Sequence, residues 1–407
     1  MIITAINAQD NRFKLHGGHG ADSIHTDPTY AYATTILHSN RGPQGIGLAF
    51  TLGGGNDGVC ELARILAEPL IGMHIEDLMA DFGRVQRKIS DHPMYRWLGP
   101  HKGSVHLALA SITNACFDLW AKSRGVPLWD LLLSLSTSQL LALLDLSYLE
   151  DVLTAEDAAT ILDSHRPTRD QRTGVLRTGY PGYDTSVGWF NYSDCQIRDN
   201  VKRAINDGFT AMKLKVGSQD PQRDIRRTRL IRELAGDAAR IMIDANQQWN
   251  LPAARSICHA LSDMNLYWVE EPTHPDDVLG HQSLAREIAP TRIAIGEHVP
   301  NRVMFKNFMQ ARAADFIQVD AVRVAGVSEF IVVSLMARKF NLRVVPHVGD
   351  MGQIHQHLVL FNHIALGHEC LFLECIPHLR DRFVNPAIVE QGVYRTPTAP
   401  GSSSDLI

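Results

Sequence analysis

A stretch from Lys213 to Glu374 limits the fold more than anything else in the chain. Along it, short aliphatic or β-branched runs each close on one ionisable residue. The runs are Lys213-Leu-Lys215, Arg-Ile-Met-Ile-Asp244, Tyr-Trp-Val-Glu270, Arg-Ile-Ala-Ile-Gly-Glu297, Phe-Ile-Gln-Val-Asp320, Arg-Val-Val-Pro-His347 and Leu-Phe-Leu-Glu374. From Lys215 onward the closing residues are 29, 26, 27, 23, 27 and 27 positions apart (215 to 244, 270, 297, 320, 347 and 374). A strand, a helix and their loops need about 25 residues, so a repeat of this length marks one supersecondary unit used again and again. Helical patterns fill the gaps, as at Leu251 to Leu261, Asn301 to Ala313 and Val327 to Phe340. Strand alternating with helix in this way predicts an α/β chain with a parallel β/α barrel. Chemistry in such barrels sits where the strands end, so the ionisable tips are predicted to converge.

The rest of the 407 residues leaves room for one smaller domain. Ile2 to Ile6, Tyr30 to Leu37 and Ile46 to Leu52 are strand-like, and 59–133 is helical, most clearly at Val105 to Ser123 before Gly125 and Pro127 stop it. Residues 1–135 therefore read as an α+β domain, 136–375 as the barrel and 376–407 as a closing segment. Leu140 to Tyr148 is the expected first barrel strand. The polar stretch 150–185 reads as an insertion, an arm for assembly, and Thr185 to Trp189 as a turn. Pro400 to Ser404 reads as a frayed tail. Gly17 to His25 is a loop with polar tips. The glycines from Gly53 to Gly58 lack the Lys and the spacing of a phosphate loop, and read as a plain turn or a lid.

Composition removes several classes of function. A formal net charge of −5 argues against a broad nucleic-acid footprint. The six cysteines form no C-x-x-C pair, which fits a reducing compartment better than a disulfide scaffold. The start, Met-Ile-Ile-Thr-Ala-Ile-Asn, has no basic region of the signal-peptide kind. The greasiest stretch, Leu128 to Leu146, is interrupted by Asp130, Asp145 and hydroxyl residues and reads as a buried helix followed by a strand, not a membrane span. A cytoplasmic enzyme is expected.

Asp244, Glu270 and Glu297 close three consecutive strands, and neighbouring strands lie about 4.8 Å apart. Three carboxylates brought together would repel one another. A hard divalent cation relieves that conflict, and Mg²⁺ takes oxygen ligands while keeping positions open for water or substrate; each carboxylate alone would equally suit a rim ion pair with Arg. Lys213 and Lys215 share a strand face. Two ammoniums beside a divalent cation are expected to lower each other's proton affinity, with Lys215 the general base and Lys213 also able to serve as a charge balance. Asp320 can fix the tautomer of His347, making a second acid/base group across the ring. His355, His357, His363 and His368 read as surface or packing residues. A metal between two such groups favours abstraction of a proton α to a carboxylate. Dehydration, epimerisation and cycloisomerisation all use that step; a binding or scaffold protein would not need it.

The residues Lys213-Leu-Lys215, Asp244-Ala-Asn246, Glu270-Glu271-Pro272, Gly296-Glu297, Asp320 and His347 resemble the mandelate racemase subgroup of the enolase superfamily. Within it the chain is similar to the L-fuconate dehydratase family, which includes L-galactonate dehydratases. Gly18-His19-Gly20-Ala21-Asp22, His25-Thr26-Asp27-Pro28, Arg96-Trp97, Asp118-Leu119-Trp120-Ala121-Lys122 and Trp268 to Thr273 carry that match. The resemblance implies a capping domain over a modified (β/α)7β barrel, with Mg²⁺ on Asp244, Glu270 and Glu297. It implies that Lys215 removes the C2 proton of an acid sugar. His347, oriented by Asp320, protonates the leaving 3-hydroxyl, and a 2-keto-3-deoxy acid results. Candidate substrate contacts are Glu374, Asn246, His19, Asp22, Lys213 and Trp97. A homo-oligomer acting on a small acid sugar is expected, with no nucleic-acid or membrane partner. The chain departs from the family at Val348-Gly349-Asp350, His101 and Ser147, positions expected at the distal end of the pocket.

Overall fold

Alternating apolar residues give the N-terminal domain a three-stranded antiparallel sheet of β1 (Ile3–Lys14), β2 (Thr29–Ser39) and β3 (Gly45–Thr51), in that order. The computed structural model describes residues 1–407. A long helix, Gly103–Arg124, lies on the sheet and is buried on nearly every face, as an all-round apolar sequence requires. Gly47 permits the contact: a Cβ there would fall 1.9 Å from the Ser111 carbonyl oxygen.

Eight parallel strands make the barrel: β4 (Tyr180–Gly188), β5 (Ala211–Lys215), β6 (Arg240–Asp244), β7 (Trp268–Glu270), β8 (Arg292–Ile295), β9 (Phe316–Ile317), β10 (Arg343–Val344) and β11 (Leu373–Cys375). They pair in sequence order from β4 to β10, and β11 pairs in parallel with β4, placing Glu374 opposite Tyr183. Seven helices connect them, from Asp194–Asn206 to Ile354–Leu366, so the architecture is (β/α)7β. A hairpin of β12 (Val389–Glu390) and β13 (Val393–Tyr394) extends the sheet beside β4. No helix is long and apolar enough to cross a membrane.

Three local expectations give way. Leu140 to Tyr148 is not a strand. A capping box at Ser136 starts the helix Thr137–Ala142, and Asp145 then accepts from Ser147 N and Oγ in a tight turn. The leucines satisfy a helical face as readily as a strand, and the caps decide. The first barrel strand is β4, so Thr185 to Gly188 is strand rather than turn. Residues 150–179, read as an inserted arm, pack on the barrel. They fold into a helix, Ala155–His165, and short turns, with Arg172 donating to Ile364 O on the last barrel helix. The tail is buried rather than frayed: Ser402 N and Oγ donate to Asp118, and Lys122 pairs with Asp405 at 2.7 Å.

The domain and the barrel mouth are locked by buried polar contacts. Phe50 N donates to Val322 O at 3.0 Å, and Asn114 bridges Leu48 O and Ala321 O. Arg302 reaches Asp145 at 2.6 Å and Glu329 at 3.1 Å. Ala21 O accepts from Phe190 N at 2.8 Å, holding the glycine-rich loop over the strand ends.

Candidate active site

Strand alternation sets the site. In β5, Lys213 and Lys215 point inward while Leu214 packs outward on the helices, because successive side chains face opposite sides. The register aligns Lys215 with Asp244, and Asp244 with Glu270, at one level. Glu297 joins them because Gly296 lets the end of β8 pass close to the next strand; a Cβ at Gly296 would lie 2.3 Å from the Gln318 carbonyl carbon. One donor atom from each of Asp244, Glu270 and Glu297 lies within 4.8 Å of the others.

Ion pairs and hydrogen bonds hold the groups around this trio. Lys213 Nζ, fully buried, sits 2.6 Å from Glu270 Oε1, 2.7 Å from Glu374 Oε1 and 3.8 Å from Asp244 Oδ2. Glu270 Oε2 accepts from Trp268 Nε1 at 3.0 Å and from Gln318 Nε2 at 2.8 Å. Glu374 also accepts from Thr185 Oγ1 at 2.6 Å and from Val348 N at 3.0 Å. Lys215 Nζ lies 2.5 Å from Asp244 Oδ2. Across the ring, His347 Nδ1 is 2.7 Å from Asp320 Oδ2, and its Nε2 is 3.2 Å from Glu297 Oε2.

The charges shift one another. Burial pushes the Glu270 carboxyl up, Lys213 draws it part of the way back, and Asp244 and Glu374 push again, leaving it at about 8. Burial works against the His347 imidazolium, but Glu297, Asp320 and Glu374 outweigh it and hold it up to about 9. Burial also works against the Asp320 carboxylate, yet His355 and His347 keep it well below the usual range. For Lys215 the side chains alone act in both directions. Burial pulls its ammonium down, and so does Lys213, but Asp244, Glu297 and Glu270 overcome both and raise it. Those are the carboxylates that would share a divalent cation, and a cation among them cancels the field that keeps Lys215 charged.

A cavity of about 70 Å³ lies over these groups, walled by Lys215, Asn246, Glu297 and His347 from the barrel and by Asp22, Tyr30, Phe50 and Leu52 from the N-terminal domain. Asn246 has φ +43 and donates its N–H to Asp244 Oδ1. Asp22 accepts from His25 N at 2.6 Å; burial raises its pKa, but His25 and the nearby Lys215 carry it below the ordinary value. His19 stands one layer back, its Nδ1 2.8 Å from the Tyr192 hydroxyl and its ring edge-on to His378. Trp97 does not reach the cavity. It is 99% exposed, on a turn tied by Leu98 N and Gly99 N to Tyr95 O. Ser147 and His101 also lie off the cavity: Ser147 is bound to Asp145 and Arg302, and His101 lies 3.0 Å from Asp91. Of Val348-Gly349-Asp350, Val348 supports Glu374 and Asp350 accepts from Tyr32.

Several residues at the site carried no sequence signal. His298 follows Glu297 and contacts Glu271 at 3.1 Å and Glu297 at 3.3 Å, where these carboxylates overcome burial and raise it to about 10. His355, assigned to surface or packing, is buried with Nε2 2.9 Å from Asp320 Oδ1. Trp189, Arg323 and Ile376 line the cavity from loops that no periodicity marks. Gln318 was legible, since it stands two before Asp320 on the same face.

Residues 196–406 match the family described as enolase C-terminal domain-like. The crystal structure of human mitochondrial enolase superfamily member 1 superposes with a TM-score of 0.97 at 38% identity, covering 100% of this chain and 94% of that one. The chain belongs to the enolase superfamily. Among other superfamily members, L-galactonate dehydratase of Hypocrea jecorina is 34% identical over 415 residues, 100% of this chain and 92% of that protein. The structure of L-talarate dehydratase from Polaromonas sp. JS666, complexed with Mg and L-glucarate, superposes with a TM-score of 0.76 at 26% identity, covering 100% and 94%. Dehydratases are lyases, and this superfamily member is an enzyme of that class.

The residues present fit the divalent cation of this superfamily. The donor set is all carboxylate oxygen, which suits Mg²⁺. Glu297 Oε2 is buried and meets only His347 Nε2, at 3.2 Å, without a hydrogen bond, so it is free to face a cation.

Proposed function

We propose that the protein is a Mg²⁺-dependent acid-sugar dehydratase, acting on L-fuconate or a related aldonate such as L-galactonate. One juxtaposition carries the reading. Lys215 at the end of β5 and His347 just beyond β10 both face the cavity, with the carboxylates of Asp244, Glu270 and Glu297 between them in strand order. Bound Mg²⁺ supplies a Lewis acid for the substrate carboxylate, which takes up charge as C2 loses its proton. Lys215 accepts that proton, and the electron pair expels the 3-hydroxyl. His347, held by Asp320, gives the departing oxygen a proton, so it leaves as water. The C2–H and C3–O bonds break, a C2–C3 double bond forms, and the enol becomes a 2-keto-3-deoxy acid on protonation at C3. Lys213, tied to Glu270 and Glu374, holds the floor of the site in place.

The six free cysteines support a cytoplasmic location, and the exposed Met94, Trp97 and Leu98 support a homo-oligomer. The test of function is a panel of mono- and diacid sugars with Mg²⁺, assayed with semicarbazide. A 2-keto-3-deoxy product is expected. An epimer or a cyclic isomer as sole product would overturn the reading, and exchange of solvent deuterium at C2 would assign Lys215 its face.

A further inference from the structure

Apart from its histidines, two cations line the reaction cavity, Lys215 and Arg323. Lys215 has Asp244 as its partner. Arg323 has none: the ion pairs of its neighbourhood join His347 and His355 to Asp320 and Glu297, and its own guanidinium is within ion-pairing distance of no carboxylate. It is half-buried, so its donors are partly withdrawn from water. Water can still reach its donors, and the oxygens of a bound ligand can take that water's place.

The fold says which part of the ligand that is. Arg323 lies three residues past Asp320, with its N–H donated to Asp320 O at 3.0 Å. Its neighbour Val322 accepts from Phe50 N across the domain boundary. Phe50 and Leu52 line the same cavity. Arg323 therefore belongs to the wall facing the N-terminal domain, while Asp244 and Glu270 end barrel strands. A chain molecule with its carboxylate and C2 at those strand ends directs its remote carbon to Arg323.

On the dehydratase reading, we propose that Arg323 binds the remote end of the acid sugar and makes the enzyme prefer a hydroxyl on C6 to a methyl group. L-Galactonate and L-fuconate differ only there. The 6-deoxy acid leaves guanidinium donors facing a methyl group, whereas the 6-hydroxy acid accepts from them. The preference should be about tenfold in kcat/KM, less than a fully buried hydroxyl site gives, because Arg323 keeps some contact with solvent.

The experiment measures kcat/KM and calorimetric Kd for both acids on the Mg²⁺-loaded wild type, Arg323→Met and Arg323→Lys, with thermal melting of each. Expected is a preference for L-galactonate of about tenfold in the wild type, near unity in Arg323→Met and intermediate in Arg323→Lys, carried by KM more than by kcat. If neither acid turns over, the assignment of L-fuconate or L-galactonate as substrate falls, and the Kd ratio still reads Arg323. A ratio unchanged by Arg323→Met, a wild-type preference for L-fuconate, or no binding of either acid overturns the assignment. Arg323→Lys separates a lost contact from a misfolded loop, since it keeps the charge and shortens the reach.

Discussion

Two residues along one strand separate Trp268 from Glu270, and with them the two ends of the barrel. Both side chains point inward. The lower layer, with Tyr183, Met242, Trp268, Phe316 and Phe372, is a small apolar cluster of its own. Arginines cover it from below, Arg240 lying 5.2 Å over the Tyr267 ring and Arg292 at 5.6 Å. The layer above holds Lys213, Asp244, Glu270 and Glu374, all buried. One end is closed by packing and the other is made of charge. The apolar floor excludes water beneath the carboxylates, which strengthens every interaction among them. It also takes a direct part through Trp268, whose indole N–H holds Glu270. Barrels of this kind divide stability and chemistry between their ends, and here the division falls within single strands.

The difference can be broken from either end. Lys215→Met should have the largest effect, lowering kcat about a thousandfold while the Tm of the Mg²⁺-loaded protein stays within a few degrees. Retained turnover with solvent exchange at C2 would remove Lys215 from the proposed role. Phe316→Ala should do the reverse, costing about 3–5 kcal/mol in denaturant unfolding with kcat changed little. A large loss of kcat with unchanged stability would show that the lower layer is catalytic after all.

Next in size is the pH dependence of the chelated protein. His347 at about 9 and His298 at about 10 stand above the ordinary histidine value of 6.5, and Glu270 at about 8 above the ordinary 4.5. Stability from a raised histidine is complete below 6.5 and is lost as pH climbs through the folded value. A carboxyl raised by burial also loses stability with rising pH, from 4.5 to 8. All three act together, so the Tm in EDTA should fall from pH 6 to pH 10. Saturating Mg²⁺ at pH 8 should restore several degrees, because a ligand bound only by the folded state stabilises it. No restoration would mean that the trio does not hold the ion.

Smaller effects should follow behind and outside the site. His355→Leu, which removes the second partner of Asp320, should lower kcat about tenfold with KM nearly constant. Trp97→Ala should change kcat/KM by less than about twofold, as for a surface position; a larger loss with an unchanged sedimentation coefficient would return Trp97 to the site.

The strand-end residues were legible because a barrel repeats one unit, and the repeat places one ionisable side chain per strand at the same height. Lys215, Asp244 and Glu270 follow from register alone. The boundary of the barrel was not. Leu140 to Tyr148 has the composition of a strand, and only the Ser136 cap and the Asp145 turn commit it otherwise. Tail residues rich in Ser and Gly look free in sequence, yet Asp118 on the long helix needs their N–H groups once it is buried. Trp97 was a candidate contact through the Arg96-Trp97 resemblance, with an anchored surface turn as the other reading. Its direction was fixed by that turn.

By itself the sequence determined the barrel, the order of its strands from β5 to β11 and the inward-facing charged residues, because periodicity and alternation are properties of the chain. Tertiary structure alone decided the rest: that Gly296 brings Glu297 to its partners, that His298 and His355 join the site, and that the carboxylates around Lys215 raise its pKa. These depend on distances between segments remote along the chain, and the field at a buried ammonium is a sum over neighbours that only the folded protein supplies.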